Sequence, residues 1–314
     1  MLTSLSGAKI IDEVGKAIVG KRDVLELILM SILSDGHILI EDYPGLGKTL
    51  MAKSFAKVLG LEFKRIQFTS DLLPADITGS YVLDRRTSEF VLRKGPLFSN
   101  LLLADEINRA HPRTQSALLE AMQERQVTIE NETYQLSMPF ITIATQNPIE
   151  YEGTYPLPEA QIDRFLVRIG VGYPSAEEEV EILKRRNERG KDDVELNRVS
   201  TIKDILEMQS EIESVHVEAS LQRYMVEIVR RTRVHRDVDV GCSPRGSLAL
   251  LKLSKARAWL SGREFVIPDD VKGVAEPALA HRIILKPENW LRGGKAATVV
   301  QQVLAEVPVP KVDQ

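Results

Sequence analysis

Apolar and polar positions follow two rhythms along the 314-residue chain, and the change between them falls near residue 174. In the first half, short apolar runs are separated by helix-length stretches. That is the pattern of strands joined through helices into a parallel sheet. The runs at 38–41, 63–68, 101–105, 140–145 and 165–171 predict five strands. The stretch 49–59, closed by Gly60, and the stretch 112–124, with Pro112 in its first turn, predict helices. Beyond Pro174 strand-like runs disappear, and Glu, Lys and Arg pepper helical patterns at 176–189, 221–234 and 245–261. Glu181 and Arg185 sit one turn apart, as on a solvated helix face. An α/β region over residues 1–174 therefore precedes a smaller helical region over 175–314. The end of the chain, from Gly293 to Pro310, reads as a loop, a short helix and a loose end.

Composition narrows the class. With 43% hydrophobic and 27% charged residues the chain has the means to build a core. Its 41 basic and 45 acidic residues give a net charge of −4, unlike a protein whose main work is gripping nucleic-acid backbone. The single cysteine, Cys242, permits no disulfide within one chain and suits a reducing cytosol. The opening residues lack the basic patch and long apolar run of a signal peptide, and the apolar stretch 25–33 is too short to span a bilayer. A cytoplasmic location is the expectation. The five histidines (His37, His111, His216, His235 and His281) show no metal-ligand spacing, which argues against a catalytic zinc.

The strongest chemical signal is Asp42-Tyr43-Pro44-Gly45-Leu46-Gly47-Lys48-Thr49, between a predicted strand and a predicted helix. A triphosphate needs many backbone N–H donors converging on it, and glycine lets the chain turn tightly enough to supply them. Gly45 and Gly47 make the turn, Lys48 neutralises the outer phosphates, and the Thr49 hydroxyl suits Mg²⁺. The strict pattern has glycine where this chain has Asp42, a real departure at the position that begins the loop. Downstream, an apolar strand ends in Asp105-Glu106. Asp105 is placed for the Mg²⁺ shell and Glu106 for polarising a water against the γ-phosphate. Asn147 follows the next strand at its carboxyl end, where an amide can bond both water and phosphate; the alternative is an Asn that only starts a turn before Pro148.

Longer runs carry a family resemblance. Residues 36–42 leading into the loop, Ile66-Gln67-Phe68-Thr69 through Gly79, Leu103-Ala104-Asp105-Glu106-Ile107-Asn108-Arg109-Ala110, Ala144-Thr145-Gln146-Asn147-Pro148-Ile149-Glu150, 153–161 and Asp163-Arg164-Phe165 resemble the MoxR family of AAA+ ATPases in order and spacing. The resemblance extends from Ile18 to about Leu285. It implies a P-loop AAA+ α/β domain with a central parallel five-stranded sheet, followed by a smaller all-α lid. It also implies an insert in the second helix, with a hairpin at 81–92, and a second hairpin at 126–136 before the first sensor; each is otherwise an ordinary surface hairpin.

By the same resemblance, ATP with Mg²⁺ is held by Val19, Gly20, Pro44, Gly45, Leu46, Gly47, Lys48, Thr49 and Leu50, with Thr49 and Asp105 on the metal. Glu106, Asn147, Arg164 and Arg245 then form the catalytic set. Asn147 is the sensor of the fourth strand. Arg164 is the finger that reaches a neighbour's γ-phosphate, the alternative being a local pair with Asp163. Arg109 is a weaker second contact across that interface. Arg245 follows Ser243-Pro244, which cap and open its helix, and is expected to point toward the nucleotide as a second sensor.

The family implies a ring, expected as a hexamer, that hydrolyses ATP to remodel a protein client for maturation or for metal or cofactor insertion. Its partner would be a separate chain with a von Willebrand factor A domain. A nucleic-acid motor of helicase or restriction-translocase type is the first alternative. The first hairpin segment, 84–94, carries a net +2, but the second, 124–132, carries −2, and a phosphate-tracking pore favours cations in both. A magnesium-chelatase-like motor subunit is the second alternative.

Overall fold

The computed structural model describes residues 4–148 and 153–310; Ile149 and Glu150 of the run quoted above lie outside the described residues. Two helices open the chain, α1 (Ser4–Val14) and α2 (Arg22–Leu33), before β1 (Ile38–Glu41) enters the phosphate loop. Helix α3 (Lys48–Leu59) leaves that loop and stops at Gly60, whose left-handed φ of +66° closes the helix end. Then come β2 (Phe63–Gln67), α4 (Pro74–Thr78), the hairpin β3 (Gly79–Asp84) and β4 (Glu89–Lys94), β5 (Leu101–Asp105) and α5 (Pro112–Glu124). A second hairpin, β6 (Gln126–Ile129) and β7 (Glu132–Gln135), precedes β8 (Ile141–Gln146), α6 (Glu159–Ile162) and β9 (Val167–Ile169).

The central sheet is parallel throughout, in the order β2–β5–β8–β1–β9. Side chains alternate across it as the strand repeat demands. Ile38, Ile40, Leu101, Leu103, Ile141 and Ile143 join one buried cluster, while Leu39, Leu102, Ala104 and Ala144 join the other. Burial on both faces explains why these strands read as unbroken apolar runs.

Three predicted strands differ at their ends: β2 is one residue shorter, β8 is shifted by one residue, and β9 is the most shortened. Phe165 N–H closes the turn onto Ile162 O, and Val171 N–H is taken by the Asp42 carboxylate, so β9 keeps only the residues between. The predicted hairpins form, the first extending two residues beyond each predicted end. They touch each other: Tyr81 Oη donates to Glu132 Oε2 at 2.7 Å and lies 2.5 Å from Tyr134 Oη.

After β9 the chain is helical: α7 (Ala176–Arg189), α8 (Ile202–Ser214) and α9 (Ala219–Arg233), then α10 (Pro244–Leu260) and α11 (Pro268–Leu279). One departure from the all-helical expectation is a small antiparallel ladder between β10 (Val238–Val240) and β11 (Ile284–Leu285), too short to set up an alternation in sequence. The short α12 (Pro287–Leu291) leads to α13 (Ala296–Glu306), which is docked through Val299, Val300 and Val303. The change of element type near residue 174 is not a break in the core. One apolar cluster runs from α1–α3 and a sheet face into α8–α11 and α13.

Candidate active site

In a parallel sheet every strand delivers its carboxyl end to the same edge, and ligands of open α/β sheets collect there. Here that edge gathers the loop after β1, the acidic pair at the end of β5 and Asn147 after β8. Gly45 and Gly47 have φ of +83° and +78°, and a Cβ built on either would meet nothing within 4 Å. The hollow above the loop is therefore open, and the first-turn N–H groups of α3 have no helical acceptors of their own. Lys48 Nζ donates to Asp42 O at 2.6 Å and so lies across the mouth of the loop. Thr49 is half-buried at the start of α3, and Leu50 is exposed. An anion fits this cradle.

Asp42 occupies the position where the loop pattern asks for glycine, and its carboxylate has work of its own. Oδ2 accepts the backbone N–H groups of Val171 and Gly172, both at 2.6 Å, and Oδ1 accepts Tyr43 N–H at 2.8 Å. The start of the loop is thereby stapled to the segment that leads into α7. Tyr43 stacks on Tyr173 in that segment, with ring centroids 5.8 Å apart. Val19 and Gly20 lie beside the same segment, since Lys21 Nζ donates to Tyr173 O at 2.7 Å and Gly20 packs against Glu178.

Across the edge, Asp105 is buried and doubly held. Thr145 Oγ1 donates to its Oδ1 at 2.6 Å, while Arg65 contacts Oδ2 through Nε at 3.1 Å and Nη2 at 2.7 Å. Glu106 follows in a left-handed conformation, φ +56°, with its N–H on Thr145 Oγ1 at 2.8 Å. That conformation costs a non-glycine residue about 1–2 kcal/mol. It turns the carboxylate out of the strand line, where Gln67 Nε2 donates to Oε2 at 2.5 Å and Arg109 Nε lies 3.2 Å away. Asn147 is buried one step beyond β8, level with Asp42 because Asp42 N–H donates to Gln146 O. Among the described residues no group of three His, Cys, Asp or Glu side chains gathers to hold a metal alone. Thr49 and Asp105 offer the oxygen donors that Mg²⁺ takes, a cation that keeps waters and substrate phosphates among its ligands, and Asp105 Oδ2 is held here by Arg65.

The chain is similar to known proteins over most of its length. Residues 37–167 match the model of the ATPase family associated with various cellular activities (AAA), and residues 230–303 match the AAA lid domain. The chain is 48% identical over 302 residues to the uncharacterized protein YeaC of Bacillus subtilis, covering 96% of this chain and 94% of that one. It is 43% identical over 310 residues to Chaperone MoxR1 of Mycobacterium tuberculosis, covering 96% and 81%. The chain belongs to the MoxR family of AAA+ ATPases. A 2.00 Å crystal structure from Cytophaga hutchinsonii, of a protein provisionally described as an ATPase, is similar with a TM-score of 0.92. Its identity is 41%, over 98% of this chain and 96% of that one.

Two residues expected in the catalytic set, Arg164 and Arg245, stand elsewhere. Arg164 follows α6 at the amino end of β9; it donates to Leu119 O at 2.9 Å, and no ion pair joins it to Asp163. Arg245 does not point at the chain's own phosphate loop. It lies 3.8 Å from Asp163 and lines a cleft of about 240 Å³ with Arg164, Gly36 and His37. Gly36 and His37 precede β1 and the loop follows it, so the two edges are roughly 17 Å apart at a strand rise of ~3.3 Å per residue. The reason is packing: α10 lies against α2 and α8, which carries its start to the amino edge of the sheet.

Arg65 lies within the predicted strand 63–68, and Gln67 and Thr145 within the runs that resemble the family, with no role expected of any of them. Their signal was available: Arg65 and Gln67 are polar i, i+2 neighbours ending a strand, so both face the same way toward the acidic pair.

Proposed function

We propose that the chain hydrolyses ATP at the carboxyl edge of its sheet and uses the cycle to remodel protein clients. The observation that carries this reading is the convergence of the phosphate loop, Asp105, Glu106 and Asn147 at one edge. Lys48 and the loop N–H groups bind and orient the triphosphate of the substrate. Glu106 is the carboxylate suited to take a proton from the attacking water, and Asn147 to orient that water. Gln67 and Arg109 hold Glu106 aside and must loosen for this role. Mg²⁺, when bound, supplies charge neutralisation at the phosphates, with Thr49 and Asp105 to hold it.

The nucleotide's remaining partners come from outside the subunit. Arg164 and Arg245 share the opposite edge, so both serve the pocket of the next copy in a ring, expected as a hexamer. A guanidinium offers bidentate stabilisation to a transferring phosphoryl group. A protein client, and a separate partner with a von Willebrand factor A domain, follow from the family resemblance; the name of the 43% identical Chaperone MoxR1 supports the client. The first hairpin also favours protein over nucleic acid, since its cross-strand pairs Val82–Val91 and Leu83–Phe90 are exposed apolar surface.

Glu106→Gln tests the reading. The variant is expected to bind Mg·ATP by calorimetry as the natural chain does, while phosphate release slows by about 10²-fold or more. Unchanged turnover would remove Glu106 from the chemistry, and absence of nucleotide binding by the natural chain would end the ATPase reading.

A further inference from the structure

Asp163 sits directly before Arg164, yet its carboxylate turns away from that neighbour toward the lid. Oδ1 accepts Arg282 Nε at 2.9 Å and Oδ2 accepts Ser243 Oγ at 3.0 Å, while Arg245 Nη1 stands 3.8 Å from Oδ2. Arg282 is a buried cation, its side chain only 3% exposed. It also donates to the carbonyls of Asp163, Phe165, Leu166 and Ala278. A guanidinium that far from water is tolerable only with its charge paired and its N–H groups filled. The turn bearing Arg164 is thus clamped from behind by one lid residue, through the Asp163 carboxylate and the carbonyls of residues 163, 165 and 166 on either side of Arg164.

We infer that Asp163 is the positioning residue for both trans-acting arginines. This rests on the reading that Arg164 and Arg245 serve the next subunit's pocket. One carboxylate carries two cations of different character. The Arg282 pair is buried and permanent. The Arg245 pair is long and 44% exposed on the arginine side, so it is weak and exchangeable. Arg245 therefore rests on Asp163 and is released when a neighbour's phosphate offers a stronger partner.

Charge makes the same case. The cleft is lined by Arg125, Arg164, Arg245, Lys252 and Arg282 against Asp35 and Asp163, and Asp35 is taken by Arg125 at 3.0 Å. Without Asp163, the guanidiniums of residues 164, 245 and 282 would share the cleft with no carboxylate but Asp35, which Arg125 already holds.

Mixed assemblies test the inference. A Lys48→Ala chain cannot use its own pocket but presents natural arginines; an Arg164→Ala chain has an intact pocket and no finger. Their mixture is expected to recover ATPase activity that neither has alone. Asp163→Asn placed in the arginine donor should then lower kcat about ten- to a hundredfold with KM for ATP little changed, the cost of a misplaced catalytic group. The same substitution in the pocket donor, whose finger is already gone, should cost far less. Arg282→Lys keeps the charge and loses the fork; it should give the same donor-only loss at smaller size, and serves if Asp163→Asn fails to fold. Equal losses in both donors, or no loss in either, overturn the role of Asp163. A mixture that never recovers activity overturns the trans reading beneath it.

Discussion

Asp42→Asn isolates what the departure from the loop pattern does. In the natural chain one charged oxygen receives two backbone N–H groups at 2.6 Å from Val171 and Gly172. Asparagine keeps the size of the side chain and removes the charge. A hydrogen bond to a charged group contributes ~1.5–3 kcal/mol and a neutral one ~0.5–1.5 kcal/mol, so two weakened bonds lose about 2–3 kcal/mol locally. At 1.36 kcal/mol per tenfold, opening of this segment becomes about 30- to 150-fold more frequent. Amide hydrogen exchange reads that directly, because protection of a local segment reports its own opening equilibrium. The Val171 and Gly172 amides should lose protection by that factor, while strand amides such as Ile143 stay as they were. Lys48 bonds the backbone carbonyl of residue 42, which the substitution leaves in place, so ADP affinity should change less than the exchange rates. Unchanged protection at Val171 and Gly172 would refute the staple.

Three further outcomes follow from separate contacts. Gly20 has φ +66°, and a Cβ there would lie 1.8 Å from Glu178 Oε1, so Gly20→Ala should lower the urea-unfolding free energy by about 1–2 kcal/mol; no loss would contradict the conformation. His37 is buried and neutral, with Nε2 on Met122 O and Nδ1 accepting Thr142 N–H, and burial pushes its pKa down to about 3 from 6.5. The unfolded chain binds the extra proton between those values, so stability falls as pH drops through that window by up to ~1.4 kcal/mol per unit. His37→Gln should flatten the slope of unfolding free energy between pH 6.5 and 5, by about half a proton at the upper end and approaching one at the lower, and an unchanged slope would exclude the histidine. Arg65→Gln frees Asp105 Oδ2 from its guanidinium, and the Mg²⁺ concentration for half-maximal turnover should fall severalfold; a rise would mean that Arg65 supports the metal site rather than competing with it.

The five strands and the phosphate loop were legible because each is a local pattern. An apolar run bounded by turn residues reads as a buried strand, and Gly45-Leu46-Gly47-Lys48-Thr49 is contiguous. Asp105 and Glu106 were legible for the same reason. The edge at which Arg245 stands was not legible, because it depends on where α10 packs, and no local pattern reports the docking of one helix on α2 and α8. The clamp on Asp163 joins residues 163, 243, 245 and 282, brought together by tertiary folding alone. One signal did exist: Ala280-His281-Arg282-Ile283 sets two titratable residues inside an apolar run, which marks buried polar groups that need partners. The small β10–β11 ladder escaped because three residues and two residues leave no period to read.

The central claim is that one subunit's loop and acidic pair are completed by another subunit's arginines. Specific ATPase rate measured against protein concentration, with assembly followed by sedimentation in the same samples, tests it most directly. The rate per chain is expected to rise with concentration and to level off where assembly is complete. A dilute monomer turning over at the full rate would contradict it.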